Sequence, residues 1–296
     1  MRKLSSIVQA TALEILSEPL TLLVKLTALA LVVFAPTFHY HQFGEVTRMA
    51  RDTGFSAVLV GGGVLAAFET IRALRREIES GTLEMALARP VSRGAFFPGK
   101  ALGSWLATVF AVLVVFATSL VVVEGSAVGG RIAEKTGDVA RIWGPCVAVA
   151  VAVIVLPTVA AAALNRFCRC RFVLTEQFLS AALAFVAGAW AVFRDPSVLA
   201  PYFAALVPLL VLMAVWVAAA AAFAFGLRAN AAAAMTGLVA AGSFPFVGNY
   251  YLSDMLANGG TVSWTYVAFA VLAALPAMAA FLLLGSCARE AGARRE

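Results

Sequence analysis

Long apolar runs separated by short charged stretches set the pattern of this chain. Eight segments approach about 20 apolar residues each, near 20–38, 55–70, 97–123, 143–164, 174–193, 202–226, 231–250 and 263–285. That is the length a helix needs to cross a hydrocarbon core of about 30 Å. The second and seventh are the weakest, because Gly61, Gly62 and Gly63 interrupt one and Gly242, Pro245 and Gly248 the other. The pattern predicts an all-α polytopic membrane protein with about eight transmembrane helices in a single membrane domain, 1–296.

Composition agrees. Hydrophobic residues make up 62% of the chain and charged residues 13%, where soluble domains run near half and a quarter. The Ala-rich run 218–224 reads as a small-residue packing surface in lipid.

Charge placement sets the orientation. With the N-terminus cytoplasmic, the inner segments hold 15 Lys and Arg and the outer segments 6, with Lys25 inside a span, out of 22. This bias follows the positive-inside rule and predicts that both termini are cytoplasmic. A six-span version, with 202–250 as a broken hairpin, keeps the same parity. The net charge of +6 therefore reflects topology. No basic groove with interleaved aromatics points to nucleic acid.

The N-terminus does not read as a signal peptide, since its apolar run starts only near residue 20, after Glu14 and Glu18. Residues 3–18 instead place Leu4, Ile7, Val8, Thr11 and Ile15 on one helical face, with Arg2, Lys3, Ser5, Ser6, Gln9 and Glu14 elsewhere. Segment 1–19 is expected to lie as an interfacial helix in the headgroup plane. Pro19 would end it and turn the chain into the first span.

Candidate chemistry is sparse. Cys168 and Cys170 share the short loop NRFCRCR, and His39 and His41 share HYHQ at the outer end of the first span. Neither pair has a third ligand nearby, so no metal is expected. No H-E-x-x-H and no G-x-S-x-G occurs, and no catalytic role is assigned. Residues 94–101, GAFFPGKA, match seven places of the phosphate-binding loop G-x-x-x-x-G-K-[ST], but Ala101 stands where the Mg²⁺-ligating hydroxyl belongs. No cofactor is expected on this chain. Lys25 lies five or six residues inside the first span and is expected to snorkel to the cytoplasmic surface, with a functional intramembrane role as the alternative.

The charged segment 71–100, IRALRREIESGTLEMALARPVSRGAFFPGK, is too patterned for a plain loop. Ile71, Leu74 and Ile78 continue the helical spacing out of the second span, and Ser80-Gly81-Thr82 breaks it. Thr82 is placed to cap a second short helix over 83–89, with Glu84 near its positive end. Leu83, Met85, Ala86 and Leu87 give that helix an apolar face, and Pro90 ends it. Such a helix either seats in a groove of a partner or lies flat on the membrane.

The stretch EIESGTLEMALARPVSRGAFFPGKALG (77–103) resembles the cytoplasmic segment of type-2 ATP-binding-cassette (ABC) permeases, and ATALEILSEPL (10–20) resembles their N-terminal interfacial helix. The nearest subset is the group described as involved in multi-copper enzyme maturation. The chain departs from the usual six spans through extra apolar sequence around 202–250, which implies a six-span permease core plus extra spans.

The resemblance implies a cytoplasmic coupling segment, 71–96, whose helix seats in a cleft of a separate ATPase subunit. By the matching motif, Glu77, Glu79, Gly81, Thr82, Leu83, Glu84, Met85 and Leu87 would form or support the docking surface. Arg89, Pro90, Ser92 and Arg93 would set the exit into the third span. It also implies two ATPase copies carrying the ATP and Mg, a permease homodimer or heterodimer, export, and residence in a prokaryotic inner membrane. Gly61, Gly62, Gly63, Gly99 and Gly103 would allow close helix approach or bending. The alternatives are a self-sufficient secondary transporter and a membrane-embedded assembly factor without ATP coupling.

Overall fold

The computed structural model describes residues 2–34, 46–80, 93–136, 148–194, 196, 199–245 and 264–292. Among these there is no strand. The helices are α1 (Arg2–Leu16), α2 (Pro19–Phe34), α3 (Val46–Val64), α4 (Thr70–Glu79), α5 (Arg93–Thr136), α6 (Leu156–Cys168), α7 (Phe172–Arg194), α8 (Leu199–Gly226), α9 (Ala229–Pro245) and α10 (Trp264–Gly292). One π-helical turn, Leu65–Glu69, joins α3 to α4, and another, Val151–Val155, leads into α6. The second stands directly before Pro157. A wider turn there accommodates a ring that would otherwise strike the carbonyl four residues back.

The chain is an all-α polytopic membrane protein. Each of the eight apolar segments carries a helix. Among the described residues, five helical stretches are long and apolar enough to cross a bilayer: Ala50–Glu79, Phe96–Gly125, Ala148–Cys168, Phe172–Arg194 and Tyr202–Ala224. The pair α1 and α2, bent at Ser17-Glu18, makes a sixth if taken as one span. The seventh segment forms the 17-residue α9, and the eighth contributes the apolar stretch Val267–Leu283 of α10.

The helix of the second span continues through the π turn and α4 to Glu79 and stops where the sequence places its Ser80-Gly81-Thr82 break. The third helix runs past its expected end near 123, to Thr136. Its 44 residues amount to about 66 Å at 1.5 Å per residue, well beyond a ~30 Å hydrocarbon core. Hydropathy reports the solvent, not the hydrogen-bond ladder. The Ala-Glu-Lys sequence after Arg131 favours helix once it leaves lipid.

The contacts divide the chain into two compact units. One comprises Met1–Ile15, Gly63–Val109 and Ala200–Glu296, the other Leu16–Gly62 and Phe110–Leu199. In the first, α1 lies on the start of α5. A Cβ at Gly99 would stand 3.0 Å from Leu4 Cδ1, and one at Gly103 would stand 2.7 Å from both Thr11 Cβ and Val8 O. The glycines are four apart, so they share one helix face and let the two backbones approach. Thr11 and Ile15, on the predicted apolar face of α1, are buried. Gly63 gives way to the Trp216 ring, where an added Cβ would fall 2.5 Å from Cζ3. Trp216 donates through Nε1 to Ser243 Oγ at 3.1 Å and so ties α8 to α9. The Ala218–Ala222 run is buried on every side of α8, and α9 packs against α4 and the π turn before it.

In the second unit, Gly54 faces Ser119 and Gly188 faces Ala117, again at distances that leave no room for a Cβ without displacement. Helices α6 and α7 form a hairpin whose turn places Arg169 in the left-handed region, φ 55. A non-glycine residue there costs about 1–2 kcal/mol. Asn165 offsets part of it, donating through Nδ2 to Cys170 O at 2.6 Å while its own carbonyl accepts from Arg169 N–H at 3.1 Å.

Gly103→Leu is expected to destabilise the protein by about 1–3 kcal/mol, the usual cost of overpacking, and to expose α1 to protease. Gly237→Leu, where nothing lies within 4 Å of the added Cβ, leaves both unchanged. Thermal unfolding and limited proteolysis in detergent test the contrast.

Candidate functional site

The charged segment is best built from its two ends. Its leading end is α4, which buries Ile71 and Leu74 while Arg72, Arg76 and Glu79 remain exposed. The helix stops at Ser80, whose N–H donates to Arg76 O at 3.0 Å and whose Oγ donates to Glu77 O at 3.4 Å. The trailing end is the first turns of α5, where Phe96 and Phe97 are buried.

Glu77 and Lys100 join the two ends. Lys100 Nζ donates to Glu77 Oε1. Lys100 is also 4.0 Å from Glu14 Oε2 of α1, and Arg76 Nη1 is 3.5 Å from Glu14 Oε1. The Lys100 side chain is only 7% exposed and its ammonium sits 5.9 Å from the Phe96 ring centroid. Two carboxylates and two cations from three helices thus form one node under the segment. The exposed Arg76–Glu14 contact contributes little by itself. The nearly buried Lys100 makes its pairing with Glu77 strong and directional, because solvent does not screen it.

Lys100 belonged to the sequence match with a phosphate-binding loop. Residues 94–101 lie within α5, so they form helix and not a cradle of converging N–H groups, and the ammonium is engaged by Glu77 and Glu14. The roles of Glu14, Arg76 and Lys100 were not anticipated. The available signal was opposite charge at the two ends of one charged segment, Glu77 before it and Lys100 after it.

Of the predicted docking residues, Glu77 is placed in this node and Glu79 points to solvent at the end of α4. Arg93 begins α5. Gly81, Thr82, Leu83, Glu84, Met85, Leu87, Arg89, Pro90 and Ser92 lie outside the described residues, as do His39 and His41. Cys168 and Cys170 are exposed free thiols, and among the described residues no group of three or more His, Cys, Asp or Glu is placed to hold a metal.

The second polar cluster corrects an expectation. Lys25 does not snorkel to the surface. Its Nζ donates to Glu176 Oε2 at 2.6 Å and to Ser180 Oγ at 2.6 Å, with the Lys25 and Glu176 side chains both 0% exposed. The reason is local: a carboxylate one helix away satisfies the ammonium at its own depth, with no need to extend to the headgroups. Gln177 is also fully buried, and among the described residues neither its amide atoms nor Glu176 Oε1 has a hydrogen-bond partner. Lys25 stands near the start of α2 and Glu176 near the start of α7, so their contact brings these two helix starts to the same depth.

Fold and composition define a polytopic membrane protein whose charged segment has ion-paired residues near both its ends. The family model described as ABC-2 family transporter protein matches residues 20–292. The chain belongs to that family. No curated protein and no solved structure matches it. The family's members are permease components of ABC transporters, typically non-catalytic and generally partnered by an ABC ATPase subunit.

Removing one member of the buried pair, by Lys25→Ala or Glu176→Ala, is expected to destabilise by about 3–5 kcal/mol. The double variant Lys25→Met with Glu176→Leu should recover most of that loss. A double-mutant cycle on thermal unfolding in detergent measures it, and simple additivity would rule out direct coupling.

Proposed function

We propose that this chain is the membrane subunit of an ATP-driven exporter, moved by a separate ATPase through segment 71–96. One observation supports the reading above others: Glu77, near the start of the segment, and Lys100, just after it, are paired with each other, and Glu14 ties the N-terminal helix to them. A surface loop has no need of such a base, whereas a lever requires one. Force applied to residues 81–92 would reach α4, which is continuous through the π turn with α3, and would reach α5 and α1 at the same time.

On this reading Leu83, Met85 and Leu87, with Glu79 and Glu84 beside them, enter a cleft of the ATPase. ATP and Mg²⁺ belong to that partner, present in two copies against a permease homodimer or heterodimer. The motif over 77–103 favours the group described as involved in multi-copper enzyme maturation. Export is the direction the family resemblance favours. The family resemblance favours a prokaryotic inner membrane, and the 15-to-6 charge bias favours cytoplasmic termini. The polar contacts favour the same parity: the Glu14 node puts α1, the end of α4 and the start of α5 on one side, and Lys25–Glu176 does so for the starts of α2 and α7. Because Lys25 and Glu176 neutralise each other, they do not supply the ion-carrying carboxylate that a secondary transporter would need.

Leu83→Asp, Glu79→Arg and Gly81→Pro are each expected to weaken ATPase recovery by roughly tenfold or more, the scale of a lost interface anchor, while membrane abundance holds. Co-purification of the ATPase with the permease measures this. Wild-type recovery in all three would leave a helix lying flat on the membrane as the better account.

The orientation is tested separately with introduced cysteines. A thiol at Lys135 should react with an impermeant reagent in intact cells and one at Arg295 should not. The reverse labelling would invert the topology.

A further inference from the structure

An apolar groove in the first unit has no part in the coupling reading. It has a volume of about 330 Å³ and is lined by α1, α5, α8 and α10, through residues that include Leu4, Trp105, Val217, Leu275, Met278 and Leu282. That volume falls at the lower end of the ~300–1,000 Å³ range of small-ligand sites. All of its lining residues are apolar. The Trp105 indole N–H is already donated to Leu210 O at 3.1 Å. The interior therefore offers no hydrogen bond to an occupant, which must be hydrocarbon where it lies inside. At the rim, Leu102 is 44% and Leu275 51% exposed, so the groove opens toward the lipid side of spanning helices.

We propose that this groove holds an acyl chain of a resident anionic phospholipid. The lining positions fall in the first turns of α5, 98–105, and in the middle parts of α8 and α10, 211–218 and 271–282. They lie at the end of α5 where Lys100 meets α1 and α4. Arg2 and Lys3 open α1 directly before the groove-lining Leu4, and α10 runs on past Leu282 to Arg289. On the topology proposed above, the sequence positions of these basic residues flank the cytoplasmic side, and with a hydrocarbon interior they favour a lipid with a negative headgroup in the inner leaflet. The headgroup assignment rests on the topology proposed above, whereas acyl-chain binding does not depend on the coupling reading, because lipid retention needs no ATPase.

The test is native mass spectrometry of the full chain purified in mild detergent. Wild type should carry one phospholipid through delipidation, with phosphatidylglycerol favoured over phosphatidylcholine on reloading. Ala218→Phe, which fills the groove, should lose it, and so should Leu102→Trp, which narrows the mouth without entering the packed interior. Arg2→Glu with Lys3→Glu should reduce the headgroup preference several-fold while leaving the lipid bound. Reloading the folded wild type with an equimolar brominated phosphatidylglycerol should quench a component of emission absent from Trp105→Phe. Equal lipid retention in both groove variants, or no quenching specific to Trp105, overturns the site. Retention with no headgroup preference overturns the anionic assignment. Groove variants that split a dimer without changing lipid content would show that a second copy covers the groove instead.

Discussion

A hydrocarbon solvent leaves a charged group few places to stand, and the fold of this chain follows from how its charges are placed. Within the spans the described ammonium of Lys25 is fully buried and meets Glu176 and Ser180 at once. Both ions have left water, so the pair is weak evidence for net stability, yet loss of either partner would leave a bare charge in apolar surroundings. The contact thereby fixes the depth of α2 against α7 more strictly than apolar packing can, since Leu, Val and Ala faces slide past one another at little cost in lipid.

Where the chain leaves the apolar zone, the same constraint produces a different arrangement. Glu14, Arg76 and Glu77 are partly exposed, and Glu14 and Lys100 each have two partners within the node. Such a node tolerates rearrangement better than an isolated buried pair, because breaking one contact leaves another in place. That difference suits a static latch in the second unit and an adjustable base in the first. Glycine supplies the complementary term. Lipid gives little hydrophobic drive for helices to associate, so attraction comes from close backbone approach. Gly99 and Gly103 permit that approach beside Lys100, and their absence of side chains brings Glu14 of α1 within reach of the node.

The helices were legible from the sequence because about 20 apolar residues in a row have one economical solution in a bilayer. The apolar face of α1 was legible in part: Thr11 and Ile15 are buried, Ile7 and Val8 are half-buried, and Leu4 is exposed. The end of α4 at Ser80 was legible too, but that of α5 was not, because α5 leaves lipid near Gly125 and remains helical to Thr136 through Gly129 and Gly130. The pairings were not legible either. Lys25 and Glu176 are 151 positions apart, and no local spacing links them. Lys100 carried a misleading signal, since its Gly-Lys context matches a nucleotide loop while its partners come from α1 and α4. The short helix read over 83–89 lies outside the described residues.

The π turn at Leu65–Glu69 brings these threads together. It lies between the apolar part of the second span and the amphipathic α4, and it carries the buried Glu69. A π turn shifts the phase of the residues after it relative to the helix before it. That shift lets Ile71 and Leu74 stay buried in the first unit while Glu77 turns toward Lys100. A regular helix through the same residues would carry a different set of side chains toward α9 and α5. The wide turn is also a place where the hydrogen-bond ladder can be redrawn by one residue without breaking the helix. On the coupling reading, a push at 81–92 that rotates α4 would be absorbed or transmitted at this turn, one helical segment above the ion-paired base. The charged base and the π turn are then two ends of one lever arm, α4, whose ten residues span about 15 Å.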